Sequence, residues 1–281
     1  MAMIIDGKKI AGLIKEEIKK EVGQLREKGI VPKLAVILAG DDPASVIYAR
    51  SKKKACINTG IDYELFNLPG GVPENELLDL INKLNKDADV HGIMVELPLP
   101  GGINKKRVLA AISPLKDVDG AHPVNRGNLL GDGDGLFSVT PQSCIEIMSH
   151  SGIEIEGKHA VLVGRGETVG KPLILMLLKQ NATVTVCHTK TGDLGRYTRQ
   201  ADILIAAVGK ANMITADLIR PGAVVIDAGI NETAAGICGD VDFAQAQKVA
   251  GAISPVPGGV GSLTTVLLQR NLLKAIKLQK K

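Results

Sequence analysis

Apolar positions along the first hundred residues switch between two periods. Ile10, Leu13, Ile14, Ile18, Val22 and Leu25 recur every three or four residues with charges between them, which predicts an amphipathic helix over 10–28. The wholly apolar run from Leu34 to Ala39 then reads as a buried strand, bounded by Gly40. A helix is expected over 43–59, where Asp42 or Ser45 can cap the first turn and Pro43 suits it. A strand at 61–67, a helix at 74–85 and a strand at 90–97 follow, and this alternation argues for parallel β-α-β units. Leu97-Pro98-Leu99-Pro100-Gly101-Gly102 ends the last strand as a loop.

The second half repeats the alternation. A helix over 140–151 leads into the apolar strand 159–163, which runs into Gly164-Arg165-Gly166-Glu167-Thr168-Val169-Gly170 and then an apolar helix over 172–179. Strands at 183–187, 203–208 and 223–227 complete a Rossmann-like pattern, and a final helix covers 263–276. The expected architecture is α/β: two α/β domains, the second a Rossmann-like NAD(P)-binding domain, with a cleft between them. Residues 1–139 form the first domain, 140–260 the second, and the C-terminal helix within 261–281 packs back on the first.

Composition narrows the function without choosing it. The 281 residues suffice for two cores, and no apolar stretch approaches the ~18 residues of a membrane span. The first residues carry no secretion pattern, and the four cysteines lack a Cys-x-x-Cys pair, so free thiols in a cytoplasmic protein are expected. A net charge of +4 is mild, and aromatics at 2% leave little for base stacking, which argues against nucleic acid and towards a small polyanion. Gly131-Asp132-Gly133-Asp134-Gly135 lacks the spacing and distal Glu of a calcium loop, and no metal-ligand cluster is expected.

Candidate chemistry divides between the halves. A Gly-x-Gly-x-x-x-Gly turn between strand and helix suits a dinucleotide: Gly164 permits the tight turn, Gly166 lets backbone approach phosphate, and Val169 and Gly170 lead into the helix, whose N-terminus attracts negative charge. Where an NAD site places a carboxylate after the second strand, this chain reads His188-Thr189-Lys190, which with Arg165 suits the 2′-phosphate of NADP. Ile230, after the fourth strand, could press on the nicotinamide end, whereas Asp227 could equally form a turn. In the first half, Tyr48 and Lys52 stand one helical turn apart. Lys52 is a candidate general acid or base, and Tyr48 could hydrogen-bond its amine or orient a substrate. Glu96, flanked by Val95 and Leu97, stands at a strand's carboxyl end, where α/β sheets bind ligands. Asp119 could accept hydrogen bonds from a heterocycle, and the loop Pro257-Gly258-Gly259-Val260-Gly261 suits close approach of a flat ligand.

Together these motifs resemble the bifunctional methylenetetrahydrofolate dehydrogenase/methenyltetrahydrofolate cyclohydrolase family across nearly the whole chain. The likeness rests on Asp42-Pro43-Ala44-Ser45 with Tyr48 and Lys52, Leu97-Pro98-Leu99-Pro100, Lys116-Asp117-Val118-Asp119-Gly120, Gly164-Arg165 and Pro257-Gly258-Gly259-Val260-Gly261. It implies that Lys52 does the acid/base work with support from Tyr48, that Asp119 holds the pterin, that the Gly258 loop lies beside the folate, and that Gly164–Gly166 with Thr189 contacts NADP. It also implies a homodimer formed through the second domain. Five residues at three places depart from the family's pattern: Glu96 replaces the usual Gln, Gly166-Glu167 replaces Ser-Asn or similar, and Ser262-Leu263 replaces Pro and Met. A carboxylate at 96 would favour the charged form of Lys52 by Coulomb attraction, so the second reading is a dehydrogenase with weak or absent cyclohydrolase.

Overall fold

The computed structural model describes residues 1–234 and 236–280. In chain order its elements begin with β1 (Met3–Ile4), α1 (Gly7–Glu27), β2 (Lys33–Ala39), α2 (Pro43–Thr59), β3 (Asp62–Leu68), α3 (Glu74–Lys86) and β4 (Gly92–Val95). They continue with α4 (Lys105–Ala111), α5 (Pro123–Leu130), α6 (Val139–His150), β5 (His159–Val163), α7 (Gly170–Lys179), β6 (Thr183–Cys187), α8 (Gly195–Thr198) and β7 (Ile203–Ala206). The last are β8 (Val224–Asp227), β9 (Asn231–Thr233), β10 (Gly236–Cys238), α9 (Phe243–Ala246), β11 (Ala252–Ile253) and α10 (Thr264–Leu278).

The chain separates into two compact units. One comprises Leu13–Phe137 with Thr265–Lys281, the other Met1–Gly12 with Ser138–Thr264. Met1–Gly12 therefore falls with the nucleotide half, contrary to the expected 1–139 boundary. The reason is backbone pairing: β1 lies parallel to β11, Met3 opposite Ala252 and Ile4 opposite Ile253. So short a strand carries no apolar period, and its partner is almost the whole chain away.

In the first unit, β2 is the middle of a parallel three-stranded sheet ordered β3-β2-β4. Ala35, Ile37, Ile93 and Val95 pack with Leu77 and Ile81 of α3 and Val108 of α4 as one buried cluster. Each large aliphatic taken out of water there contributes about 1.5–3 kcal/mol. Asp42 caps α2, its carboxylate accepting from the Ser45 N–H at 2.9 Å, and Gly60 ends the helix in the left-handed region at φ +80. In α10, Asn271 donates to the carbonyls of Val118 and Phe137, both at 2.8 Å, which ties the C-terminal helix to the turn that carries Asp119.

In the second unit, six parallel strands are ordered β1-β11-β8-β7-β5-β6. The direction of winding reverses beside β5, since β6 lies on one side and β7 on the other. The glycine turn leaves β5 at this topological switch point, where such sheets bind ligands. A separate hairpin joins β9 and β10.

Candidate active site

Two constellations emerge, one in each unit. In the first, Glu96 follows β4 directly, and its N–H donates to the Ile37 carbonyl at 2.9 Å, which holds it to the sheet. Ser45 donates from its hydroxyl to the Leu97 carbonyl at 3.1 Å, so the start of α2 and the loop after β4 are joined. Lys52, three turns into that helix, donates from Nζ to both carboxylate oxygens of Glu96, at 2.9 and 3.1 Å. The pair is close to dry: the side chains are 13% and 6% exposed. Two charges so placed have lost most of their hydration, and each depends on the other for compensation.

Tyr48 meets this pair differently from the expected hydrogen bond. The Lys52 Nζ lies 5.6 Å from the centroid of the Tyr48 ring, a cation–π contact, and no hydrogen bond among the described residues engages the Tyr48 hydroxyl. Spacing on a helix fixes the shared face of two side chains, not which part of the ring turns to the amine. Tyr48 is half exposed, leaving the ring able to meet a second flat group. Val95 also departs from expectation. Its side chain sits in the hydrophobic core, so only its backbone is available to a ligand.

Asp119 comes to the same end of the sheet by a backbone route. Ile93 of β4 and Asp117 form a parallel bridge, and the Ile93 N–H donates to the Lys116 carbonyl at 2.7 Å. The Asp117 carboxylate is buried and accepts from the N–H groups of Ala121 and His122 and from Asn125 Nδ2, which organises the turn. Gly120 completes it at φ +66. Asp119 is left with no hydrogen bond or ion pair among the described residues. Burial, then the neighbouring Asp117, push its carboxyl up to about 7, against the pull of Lys52. A partly buried carboxyl left without a protein donor is suited to accept from the N–H groups of an incoming heterocycle.

The second constellation is a cleft of about 590 Å³ at the carboxyl ends of β5, β6 and β7. Gly164, Arg165, Gly166, His188 and Thr189 line it. Gly164 sits at φ +121, and a Cβ there would collide with the Ala207 carbonyl; at Gly170 a Cβ would come within 2.6 Å of the Gly164 oxygen. Beside Gly166 nothing lies within 4 Å of where a Cβ would stand, so the backbone is open to a ligand. Arg165 supplies a cation at the rim, and Glu167 is exposed and does not line the cleft. Val169, Lys190 and Ile230 do not line it either. The Lys190 N–H donates to His188 Nδ1 at 3.1 Å, so its backbone shapes the turn, and Ile230 is half exposed.

Several lining residues had no sequence signature, among them Lys210 and Met213. The rule that ligands gather beyond strand ends would have pointed to Lys210, four residues past β7. Asp227 proves to be a turn organiser. Buried at the end of β8, it accepts from the N–H groups of Gly229, Asp240 and Val241, and burial raises its carboxyl to about 6. The Pro257–Gly261 loop lies in the same unit, where Gly7 packs on Gly259 with no room for a side chain. Among the described residues no cluster of His, Cys, Asp and Glu could hold a metal ion, and no helix is long and apolar enough to cross a membrane.

A Rossmann-type dinucleotide unit joined in sequence to an α/β unit bearing a dry amine–carboxylate pair defines an enzyme of the two-substrate redox class. Comparison with known proteins gives the family. Residues 5–119 match the model for the tetrahydrofolate dehydrogenase/cyclohydrolase catalytic domain, and 138–280 match that for its NAD(P)-binding domain. The chain belongs to the tetrahydrofolate dehydrogenase/cyclohydrolase family. It is 66% identical over 280 residues to the bifunctional protein FolD of Pelotomaculum thermopropionicum, covering 99% of each chain. The crystal structure of the bifunctional FolD methylenetetrahydrofolate dehydrogenase/cyclohydrolase of Campylobacter jejuni matches with a TM-score of 0.97 at 46% identity, covering 99% of this chain and 100% of that one. The Trypanosoma brucei methylenetetrahydrofolate dehydrogenase-cyclohydrolase, solved with NADP cofactor and an inhibitor, matches with a TM-score of 0.93 at 36% identity, covering 100% of this chain and 99% of that one.

Proposed function

We propose that the chain oxidises 5,10-methylenetetrahydrofolate with NADP and hydrolyses the resulting 5,10-methenyltetrahydrofolate to 10-formyltetrahydrofolate. The observation that carries this reading is the pairing of Lys52 with Glu96, 2.9 Å apart and nearly dry, in a chain that also holds a dinucleotide cleft. NADP, when bound, supplies the hydride acceptor at the nicotinamide ring. The chain's own residues bind and orient. Gly164 and Gly166 give backbone access to phosphate, while Arg165 and Thr189 favour a 2′-phosphate, since the cleft offers them in place of a ribose-binding carboxylate.

Asp119 would accept from the N–H groups of the pterin, and Tyr48, Glu96 and Leu97 of the same unit are the further folate contacts in this reading. Hydration of the methenyl cation then needs a proton taken from water, and ring opening needs one delivered to nitrogen. Lys52 is the group that can do both. For that role its amine must be free to exchange a proton, and in this structure it is engaged by both carboxylate oxygens of Glu96.

Asp119 brings a pH dependence. With its carboxyl near 7, and with the ionised form accepting from the pterin, affinity for the folate should rise as pH increases through about 7 and level off above it. For the unliganded fold the sign is opposite. The folded pKa lies above the ordinary 3.8, so this group's contribution to stability declines as pH climbs from about 4 to about 7. Folate KM measured across this range checks the first statement, and in Asp119→Asn the dependence should vanish.

We further place the chain in the cytoplasm, on the strength of four free cysteines, and infer a homodimer formed through the nucleotide unit, where Met3 and Ile4 of edge strand β1 and Ile237 of the hairpin are exposed. A spectrophotometric assay with methylenetetrahydrofolate and either NADP or NAD tests the reading. Methenyl absorbance should appear with NADP, much less with NAD, and then decay by hydrolysis; no methenyl signal with either cofactor would defeat it.

A further inference from the structure

The loop after β7 carries an unusual internal contact. Asp240 is fully buried and accepts from three consecutive backbone N–H groups: Val208 at 2.6 Å and Gly209 at 3.0 Å on Oδ2, and Lys210 at 2.9 Å on Oδ1. Asn231 Nδ2 adds a fourth donor at 2.9 Å. Successive N–H groups converging in this way form a nest, the backbone concavity that proteins commonly offer to phosphate. Here it lies at the carboxyl end of a central strand, on the same cleft as the glycine turn, and the protein's own carboxylate fills it. The loop's other side is the cleft wall, since Ala207, Val208 and Lys210 all line it. The glycine turn rests directly on that wall, because Gly164 approaches the Ala207 carbonyl too closely for any side chain.

Asp240 is itself held firmly. Its N–H donates to Asp227 Oδ1 at 3.0 Å, its carbonyl accepts from the Ile214 N–H at 2.9 Å, and its carboxylate leaves no space for a Cβ at Gly229.

We propose that Asp240 is a positioning residue for the dinucleotide: it occupies the β7 nest as an internal anion, so the cofactor's phosphates are confined to the Gly164–Gly170 turn and the wall under that turn is held in place. The carboxylate reaches the cofactor only through the loop it grips. The inference rests on the dinucleotide reading above and deepens it.

Removal of the side chain should free the three N–H groups and loosen the wall. In Asp240→Ala the KM for NADP should rise about tenfold or more while kcat changes far less, the pattern of lost binding. Sodium formate, a small carboxylate able to enter the vacated nest, should bring KM and the directly measured NADP Kd back towards wild type, and sodium chloride should not. A general loss of packing would not be repaired by one anion alone. Should Asp240→Ala fail to fold, Asp240→Asn keeps the shape while turning an amide against backbone donors, and its NADP Kd should rise in the same way. A folded variant that binds NADP like wild type, or one whose weakened binding ignores formate, overturns the proposal. If wild type itself fails to bind NADP, it is the dinucleotide reading that falls.

Discussion

Replacing Lys52 with Met should abolish methenyltetrahydrofolate hydrolysis, lowering it by about 10²–10⁴-fold, the usual worth of a positioned proton carrier. Methionine keeps the length and apolar body of the side chain but has no proton to move. It also leaves Glu96 buried at 6% exposure without its cation, so some loss of stability is expected, and the melting temperature should be measured beside the rate. NADP affinity should stay near normal, because Lys52 is not among the described residues that line the proposed dinucleotide cleft. Dehydrogenase activity should fall less than hydrolysis, since hydride transfer depends on positioning more than on a proton carrier. Retained hydrolysis in a folded variant would remove Lys52 from the mechanism.

Changing Glu96 to Gln should act in the opposite direction. The carboxylate now contacts the ammonium through both oxygens, at 2.9 and 3.1 Å, in a site with little water to screen it. Glutamine preserves the shape and one acceptor but removes the charge, so the ion pair gives way to a weaker neutral contact and the Lys52 amine is freer to serve the substrate. The ratio of cyclohydrolase to dehydrogenase at neutral pH should then rise by roughly tenfold, the equivalent of about 1.4 kcal/mol. The pH–rate profiles of both activities for wild type and variant measure this directly. An unchanged ratio with superimposable profiles would show that Glu96 does not tune Lys52.

Much of the fold was legible because its elements carry their own signals. Residues 43–59 begin with a capping Asp and a Pro and end before Gly60, and β5 and β6 are short β-branched runs closed by turns, so periodicity and punctuation agree there. What escaped notice depends on distant partners. The strands β1 and β11, two residues each, exist only because they pair with each other and with β8. The short helices α4 and α5 are too brief for a period to show. Lys116 is a sharper case: it is 6% exposed and donates to the Leu84 and Asp87 carbonyls at 3.0 and 2.6 Å, whereas a lysine in a turn reads as a solvated one.

The candidate site divides along the same line. Residues clustered in sequence, such as Tyr48 with Lys52 or Gly164 with Gly166, announced themselves through spacing. The link from Lys52 to Glu96 spans 44 residues and could be suspected only from the strand-end rule. Asp240 gave no sign at all, because a lone aspartate after a glycine looks like any turn, and its worth lies in three amides some thirty residues upstream.

The most direct measurement follows the two hydrogens of the methylene bridge. Dideuterated methylenetetrahydrofolate should be turned over with NADP, and the products analysed by mass spectrometry. One deuterium should appear at C4 of the nicotinamide and the other should remain on the formyl carbon of 10-formyltetrahydrofolate. Reduced cofactor carrying only solvent hydrogen, or a one-carbon unit that retains both deuterons, would contradict hydride transfer followed by hydrolysis on this chain.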